Sequence, residues 1–267
     1  AQLVGGGNAA GVTGAAAVTL TNGKVTGGVY GGCNSSGTIG GNALVTVTGG
    51  TVGANAAHAN IHGGGYGQQT AVSGDVTVNI GSVTGSGNSA QYSGSATIYG
   101  DVYGGSALGT VNTDHSNGGT YNKTSVNLYG GTIDGNVYGG GLGDANTAAL
   151  VYGDVDVFQY GAILIARYSQ GLPSSGMIFG CNNVNGTPKG HVRVGVYKTT
   201  ETTGQQRSNA ENRKTNNESD HTYEMAAVFG GGNQAAYIPD NLTTGSTEVF
   251  INGCDDVSIH SVYGGGN

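Results

Sequence analysis

Val126-Asn127-Leu128-Tyr129-Gly130-Gly131-Thr132-Ile133, followed by Asp134-Gly135-Asn136 and then Val137-Tyr138-Gly139-Gly140-Gly141, is the stretch that decides the fold. Its closing motif, an aliphatic residue, an aromatic one and a run of small residues, recurs along the chain. It appears as Leu3-Val4-Gly5-Gly6-Gly7, Val29-Tyr30-Gly31-Gly32-Cys33, Ile61-His62-Gly63-Gly64-Gly65 and Val102-Tyr103-Gly104-Gly105. It returns at Ile178-Phe179-Gly180-Cys181, Val228-Phe229-Gly230-Gly231-Gly232 and Val262-Tyr263-Gly264-Gly265-Gly266. The opening run begins at Val18, Val45, Val76, Val126, Val155, Val192 and Val249, each with a second aliphatic residue two positions on. Self-similarity of this kind marks a repeat architecture in which each unit buries its apolar face against the next.

Val18 to Asn42 is the cleanest unit. Val18 and Leu20 alternate with Thr19 and Thr21, which places aliphatics on one face of a strand and threonines on the other. Asn22-Gly23 turns the chain because both residues tolerate positive φ. Val25 re-enters the core, Val29-Tyr30 forms another strand, Gly31-Gly32 makes a corner, and a looser return through Ile39 leads to Val45. The expected layout is three short strands and three corners per unit. Similar runs lie a whole unit apart and are not joined by two-residue turns, which favours parallel stacking over a ladder of hairpins. Stacked corners also bring backbones together and leave room only for glycine. The expected fold is therefore all-β: a right-handed parallel β-helix of about seven coils with loop insertions, with residues 1–267 as a single unit. The aromatic positions Tyr30, Tyr103, Tyr138, Phe179, Phe229 and Tyr263 should form a stacked ladder, with His62 standing in it.

Composition agrees and excludes several functions. Glycine supplies 55 of 267 residues without falling at every third position, so a collagen helix is excluded. The formal charge is −7 and no basic stripe follows the repeat, which argues against nucleic acid or an anionic membrane as partner. No run of about 20 apolar residues is present, so no membrane span is expected. The first residues lack the layout of an export signal. The broken motifs at either end are those expected of a window cut from a longer array. Cys33 and Cys181 are read as small residues at the third small position of the motif, and Cys254 as one at a corner.

The units differ by insertion. Residues 53–60 and 84–101 lengthen one corner, 105–125 lengthen the return, and Ile163-Leu164-Ile165 makes a stronger strand before a turn at Leu172-Pro173. Residues 197–224 depart furthest, holding four of the nine basic residues and five of the sixteen acids. That excursion should lie outside the coil, and Arg207, Arg213, Lys214 and Glu218 within it are candidate partner contacts.

Other features point to chemistry more weakly. Gly140-Gly141-Leu142-Gly143-Asp144 approaches a calcium-binding nonapeptide, with the aspartate one residue early. Asp154 and Asp156 share a strand face, Asp255-Asp256 mark a corner, and Arg167 and Arg193 are the arginines near strands. These are the residue types a β-helix lyase would use for calcium and proton abstraction. Thr19, Thr21, Thr46, Thr48 and Thr77 suggest a flat threonine face that later units do not maintain.

The repeat VxVxxGxV followed by a VYGGGN-like motif resembles the glycine-rich parallel β-helix segments of large bacterial surface and secreted proteins, the adhesin and autotransporter-passenger type. The resemblance implies an extracellular stalk, fibre or adhesive surface, without cofactor or catalysis. Its partners would be further copies of the chain, joined end to end or side by side, or a host or cell-surface glycan or protein. The alternative is a carbohydrate-active β-helix enzyme of the polysaccharide lyase or hydrolase type.

Overall fold

The computed structural model describes residues 1–114, 122–169, 172–201, 223–253 and 256–267. The protein is all-β, and its main sheets are parallel. A seven-stranded sheet pairs Ala16–Leu20, Ala43–Val47, Val76–Ile80, Thr124–Leu128, Val155–Gln159, Val192–Val196 and Thr247–Ile251, in chain order. An eight-stranded sheet collects the aliphatic-aromatic motifs, from Leu3–Val4 and Val29–Tyr30 to Met225–Phe229 and Ile259–Tyr263. Between them lies a five-stranded sheet, which includes Lys24–Val25, Thr97–Tyr99 and Ile163–Leu164.

The return through Ile39 is itself a strand, contrary to the expectation of three strands per unit. Ser36–Ile39, Gln69–Val72, Thr110–Val111 and Leu150–Val151 form a fourth parallel sheet, and single bridges from Val12 to Ile39 and from Val151 to Pro188 extend it. Each of its full strands commits an aliphatic residue (Ile39, Val72, Val111 or Val151) fully to the interior. Two of these strands have only two residues, and the other two set a single aliphatic residue among serine, glycine, threonine, glutamine and alanine, so their sequences read as loops. From Ala16 to Gln159 the chain passes through the seven-, five-, eight- and four-stranded sheets in that order and then begins again.

Register in the seven-stranded sheet differs from the expected file. Val18 pairs with Val45, and Val45 with Val78 rather than Val76. The file continues through Val126, Val157, Val194 and Val249. Val76, Val155 and Val192 sit two residues earlier, level with Ala16, Ala43, Thr124 and Thr247. Each strand has three inward positions, and its first is not always a valine. Counting from the first valine therefore slips some strands by two. A slip of two leaves the same side chains facing inward, so alternation alone cannot detect it.

Inward files of valine, isoleucine and leucine from all four sheets make one continuous core. Burying each such side chain is worth roughly 1.5–3 kcal/mol. The first glycine of each motif forms its own column: Gly5, Gly31, Gly63, Gly104, Gly139, Gly180 and Gly230. A Cβ on any of them would lie within 3.0 Å of the carbonyl oxygen of the equivalent glycine in the next unit. These positions require glycine for space, whatever their φ. Cys33 and Cys181 are buried and free. Cys181 occupies the second small position, not the third, since its amide bonds the carbonyl of Gly231 and its carbonyl accepts from Gly140.

Insertions leave as local structures. Ser82–Thr84 and Gln91–Ser93 form an antiparallel hairpin, so the predicted 84–101 insertion starts and ends earlier, and Thr97–Tyr99 belongs to the five-stranded sheet. Leu172 and Pro173 lie in a strand paired with Arg167–Ser169, not in a turn. The polar excursion is narrower than 197–224. Thr199 and Glu224 are buried and joined by a hydrogen bond, and Thr199 also holds the Ser258 amide at 2.8 Å.

Candidate functional site

The motif aromatics stack inside the fold. Ring centroids run Tyr30–His62 5.2 Å, His62–Tyr103 4.6 Å, Tyr103–Tyr138 4.8 Å, Tyr138–Phe179 5.0 Å, Phe179–Phe229 4.7 Å and Phe229–Tyr263 4.7 Å. Planes deviate by no more than 9°. This spacing is that of paired strands, so the backbone ladder dictates the ring ladder. The Tyr103 hydroxyl donates to Asp101 at 3.0 Å and accepts from Asn183 at 2.8 Å. Burial pushes the Tyr103 and Tyr138 phenols well above their usual range. His62 is 2% exposed, its Nδ1 has no partner within the protein, and burial lowers its pKa to about 3. A neutral imidazole thus stands in for an aromatic ring. From Tyr30 to Phe229 the rings are buried and serve as structure, and only Tyr263 at the end of the ladder is exposed.

A second aromatic cluster faces outward from the seven-stranded sheet, and sequence reading did not find it. Tyr129, Tyr160 and Tyr197, each just past the end of a strand, stack at 5.3 and 5.0 Å. The hairpin insertion carries Tyr92 to within 5.7 Å of Tyr129 and 4.9 Å of Tyr160. Beside them Phe158 and Phe250 approach to 6.2 Å across Gly195, where a Cβ would strike both rings. Arg193 lies 5.9 Å from the Phe158 ring centre. Partial burial, reinforced by the neighbouring phenols and Asp156, pushes the Tyr160 hydroxyl up to about 12, so it remains a protonated donor at neutral pH. A sequence signal existed: Tyr129, Tyr160 and Tyr197 occupy one offset in successive units. It was masked because Tyr92 comes from an insertion with no counterpart elsewhere.

An open groove of about 610 Å³ runs along this cluster. Residues 90–96 of the hairpin arm form one side, and Tyr129 to Thr132, Tyr160 to Gly161, Ile163 and Lys198 with Thr200 supply the rest. Lys198 and Thr200 are the opening residues of the predicted polar excursion. Arg207, Arg213, Lys214 and Glu218 lie outside the described residues, as do Cys254 and Asp255.

The residues considered for chemistry have other engagements. Arg193 donates to Asp156 at 2.8 Å, Lys123 approaches the same carboxylate at 3.5 Å, and Asp156 is buried beneath them. Arg167 grips buried Asp134 with both terminal nitrogens. These carboxylates push both guanidinium groups further up, opposite to what a proton-abstracting base requires. Asp144 closes a local turn, accepting from the amides of Asn146 at 2.8 Å and Thr147 at 2.7 Å. No cluster of three or more metal-ligating side chains occurs among the described residues. His191 meets Ser246 at 3.0 Å through its ring, but Asp154 accepts from the His191 backbone and not from the imidazole. The three therefore lack the relay geometry of acyl transfer. Among the described residues no helix is long and apolar enough to cross a membrane. Comparisons with protein-family models, characterised proteins and solved structures find no match for this chain.

Proposed function

We propose that this chain is a right-handed parallel β-solenoid of about seven coils that acts outside the cell as a stalk, fibre or adhesive surface, without catalysing a reaction. The observation that carries the reading is the repeated passage through four parallel sheets in fixed order, with equivalent residues in register from unit to unit. Crossover connections between parallel strands of one sheet are right-handed in nearly all proteins, which supports the handedness. Stacking at about 4.8 Å per unit yields a short rod whose length grows with each added unit, a geometry suited to extension. The core is mainly aliphatic and aromatic, and Asp156, Arg193, Asp134, Arg167 and Asp144 are tied into ion pairs or a turn. The groove on the outward sheet supplies a surface for adhesion.

Beads coated with the 267-residue chain test this reading against uncoated beads on cultured host cells and on films of the chain itself. Adhesion to either surface is expected. Failure of both, together with release of new reducing ends or unsaturated products from polysaccharides, would replace it with the carbohydrate-active enzyme. Glycoside hydrolysis ordinarily uses a pair of carboxylates flanking the bond. The groove's described lining instead contributes one charged side chain, Lys198.

A further inference from the structure

We propose that the groove beside Tyr92, Tyr129 and Tyr160 binds an extended, uncharged polysaccharide chain laid along the stacking axis, one sugar ring to each unit it crosses. The proposal rests on the adhesive reading above and names its ligand class.

Three observations carry it. The first is period. Tyr129 and Tyr160 in the groove repeat at 5.3 Å along the axis, close to the advance of one pyranose ring in an extended chain, and Tyr197 continues the file at 5.0 Å just beyond the lining. A polymer with that repeat meets an equivalent phenol at each of the two units that line the groove. The second is the lining. Ser95 and Thr132 supply neutral hydroxyls, and Ser93, Thr200 and Gln91, each with one bond inside the protein, keep further donor or acceptor positions, the groups that pair with sugar hydroxyls. Lys198 is the single charge among the described lining residues, so an anionic polymer would find one counter-charge there in a protein of formal charge −7. The third is room. Gly161 opens onto the trough, where an added Cβ would approach nothing closer than 3.5 Å, whereas Gly94, Gly130 and Gly131 line it where backbones pack closely. A volume of about 610 Å³ falls in the range of ligand pockets. A protein partner would favour a predominantly apolar surface, whereas here serine, threonine, glutamine and glycine make up most of the lining.

The phenols stack against one another, so their edges and hydroxyls make most of the contact. Tyr92 is the most open ring of the cluster at 40% exposed and is placed to lie against a sugar face.

Calorimetric titration of the full chain with cellohexaose, xylohexaose and mannohexaose tests the proposal, with hexagalacturonate as the anionic probe. At least one neutral hexasaccharide should bind with a sub-millimolar Kd, more tightly than its disaccharide and more tightly than hexagalacturonate. Tyr92→Ala and Tyr160→Ala, each checked for an unchanged circular dichroism spectrum, should weaken it about tenfold, a loss of one aromatic contact. Tyr66→Ala, an exposed tyrosine outside the groove, should leave it unchanged. Absence of binding by all three neutral probes overturns the proposal, as does equal affinity for the anionic one or wild-type affinity in both groove variants. If Tyr160→Ala alters the fold, Tyr92→Ala on the hairpin decides alone. Bead adhesion that persists without oligosaccharide binding removes the groove proposal and leaves the adhesive rod. Oligosaccharide binding without bead adhesion does the reverse. Adhesion lost in the groove variants yet resistant to glycan removal from the cells would assign the groove to a protein and overturn the sugar.

Discussion

Replacing His62 with phenylalanine should make the fold more resistant to acid. The imidazole is buried between Tyr30 and Tyr103, its Nδ1 is unpartnered, and desolvation lowers its pKa to about 3. In the unfolded chain the same group titrates near 6.5. The sign follows from proton uptake. Above pH 6.5 neither state binds the proton, and His62 contributes no pH dependence. Between pH 6.5 and 3 the unfolded state takes up the proton and the folded state does not, so stability falls with pH at up to about 1.4 kcal/mol per unit. At pH 5 the loss is on the order of 2 kcal/mol, a large share of the 5–15 kcal/mol typical of folded domains. Below pH 3 both states are protonated and the loss levels off. His62→Phe continues the ring stack and removes the titration. Urea unfolding of both proteins at half-unit steps from pH 8 to pH 5 reads the effect as a difference of differences. That comparison cancels Asp101, whose carboxyl is pushed up by burial and so opposes the trend in both proteins. A stability gap that stays constant from pH 8 to pH 5 would refute the placement of a neutral imidazole in the stack.

Further predictions concern packing. Gly104→Ala puts a methyl group against the Gly139 carbonyl and the Thr124 and Val126 side chains, and is expected to cost about 3 kcal/mol, read as a lowered Tm. Phe179→Ala removes a fully buried ring from the centre of the ladder and should cost about 3–5 kcal/mol in urea unfolding. Gln159→Leu should stabilise by about 1 kcal/mol: Gln159 interrupts the aliphatic file of Leu128 and Val196, and its buried Oε1 has no partner. An unchanged or lower Tm would show that its bond to the Ala162 carbonyl outweighs the orphaned oxygen.

Much of this fold is a local property of the chain. Alternation of Val18, Leu20 and their equivalents selects strands and their inward faces because side chains on a strand point to opposite sides in turn. Motif glycines at one offset announce columns where backbones nearly touch, and aromatics at one offset announce a ladder. These features repeat with the unit, so a single sequence displays them several times over. Tertiary structure decided what the repeat leaves degenerate. Register was one such matter, since sliding Val76 against Val45 by two residues keeps every side chain on its face, and only the packing of whole units selects Val78. The fourth sheet was another, built from short segments that each carry one aliphatic residue of the core, in two of them among small and polar ones. The groove belongs wholly to the folded state: Tyr92 on an insertion meets Tyr129 and Tyr160 from later units, and Arg193 meets Asp156 from the unit before. Local pattern records which way a side chain faces, whereas its neighbours across units depend on stacking, and stacking is where the site arises.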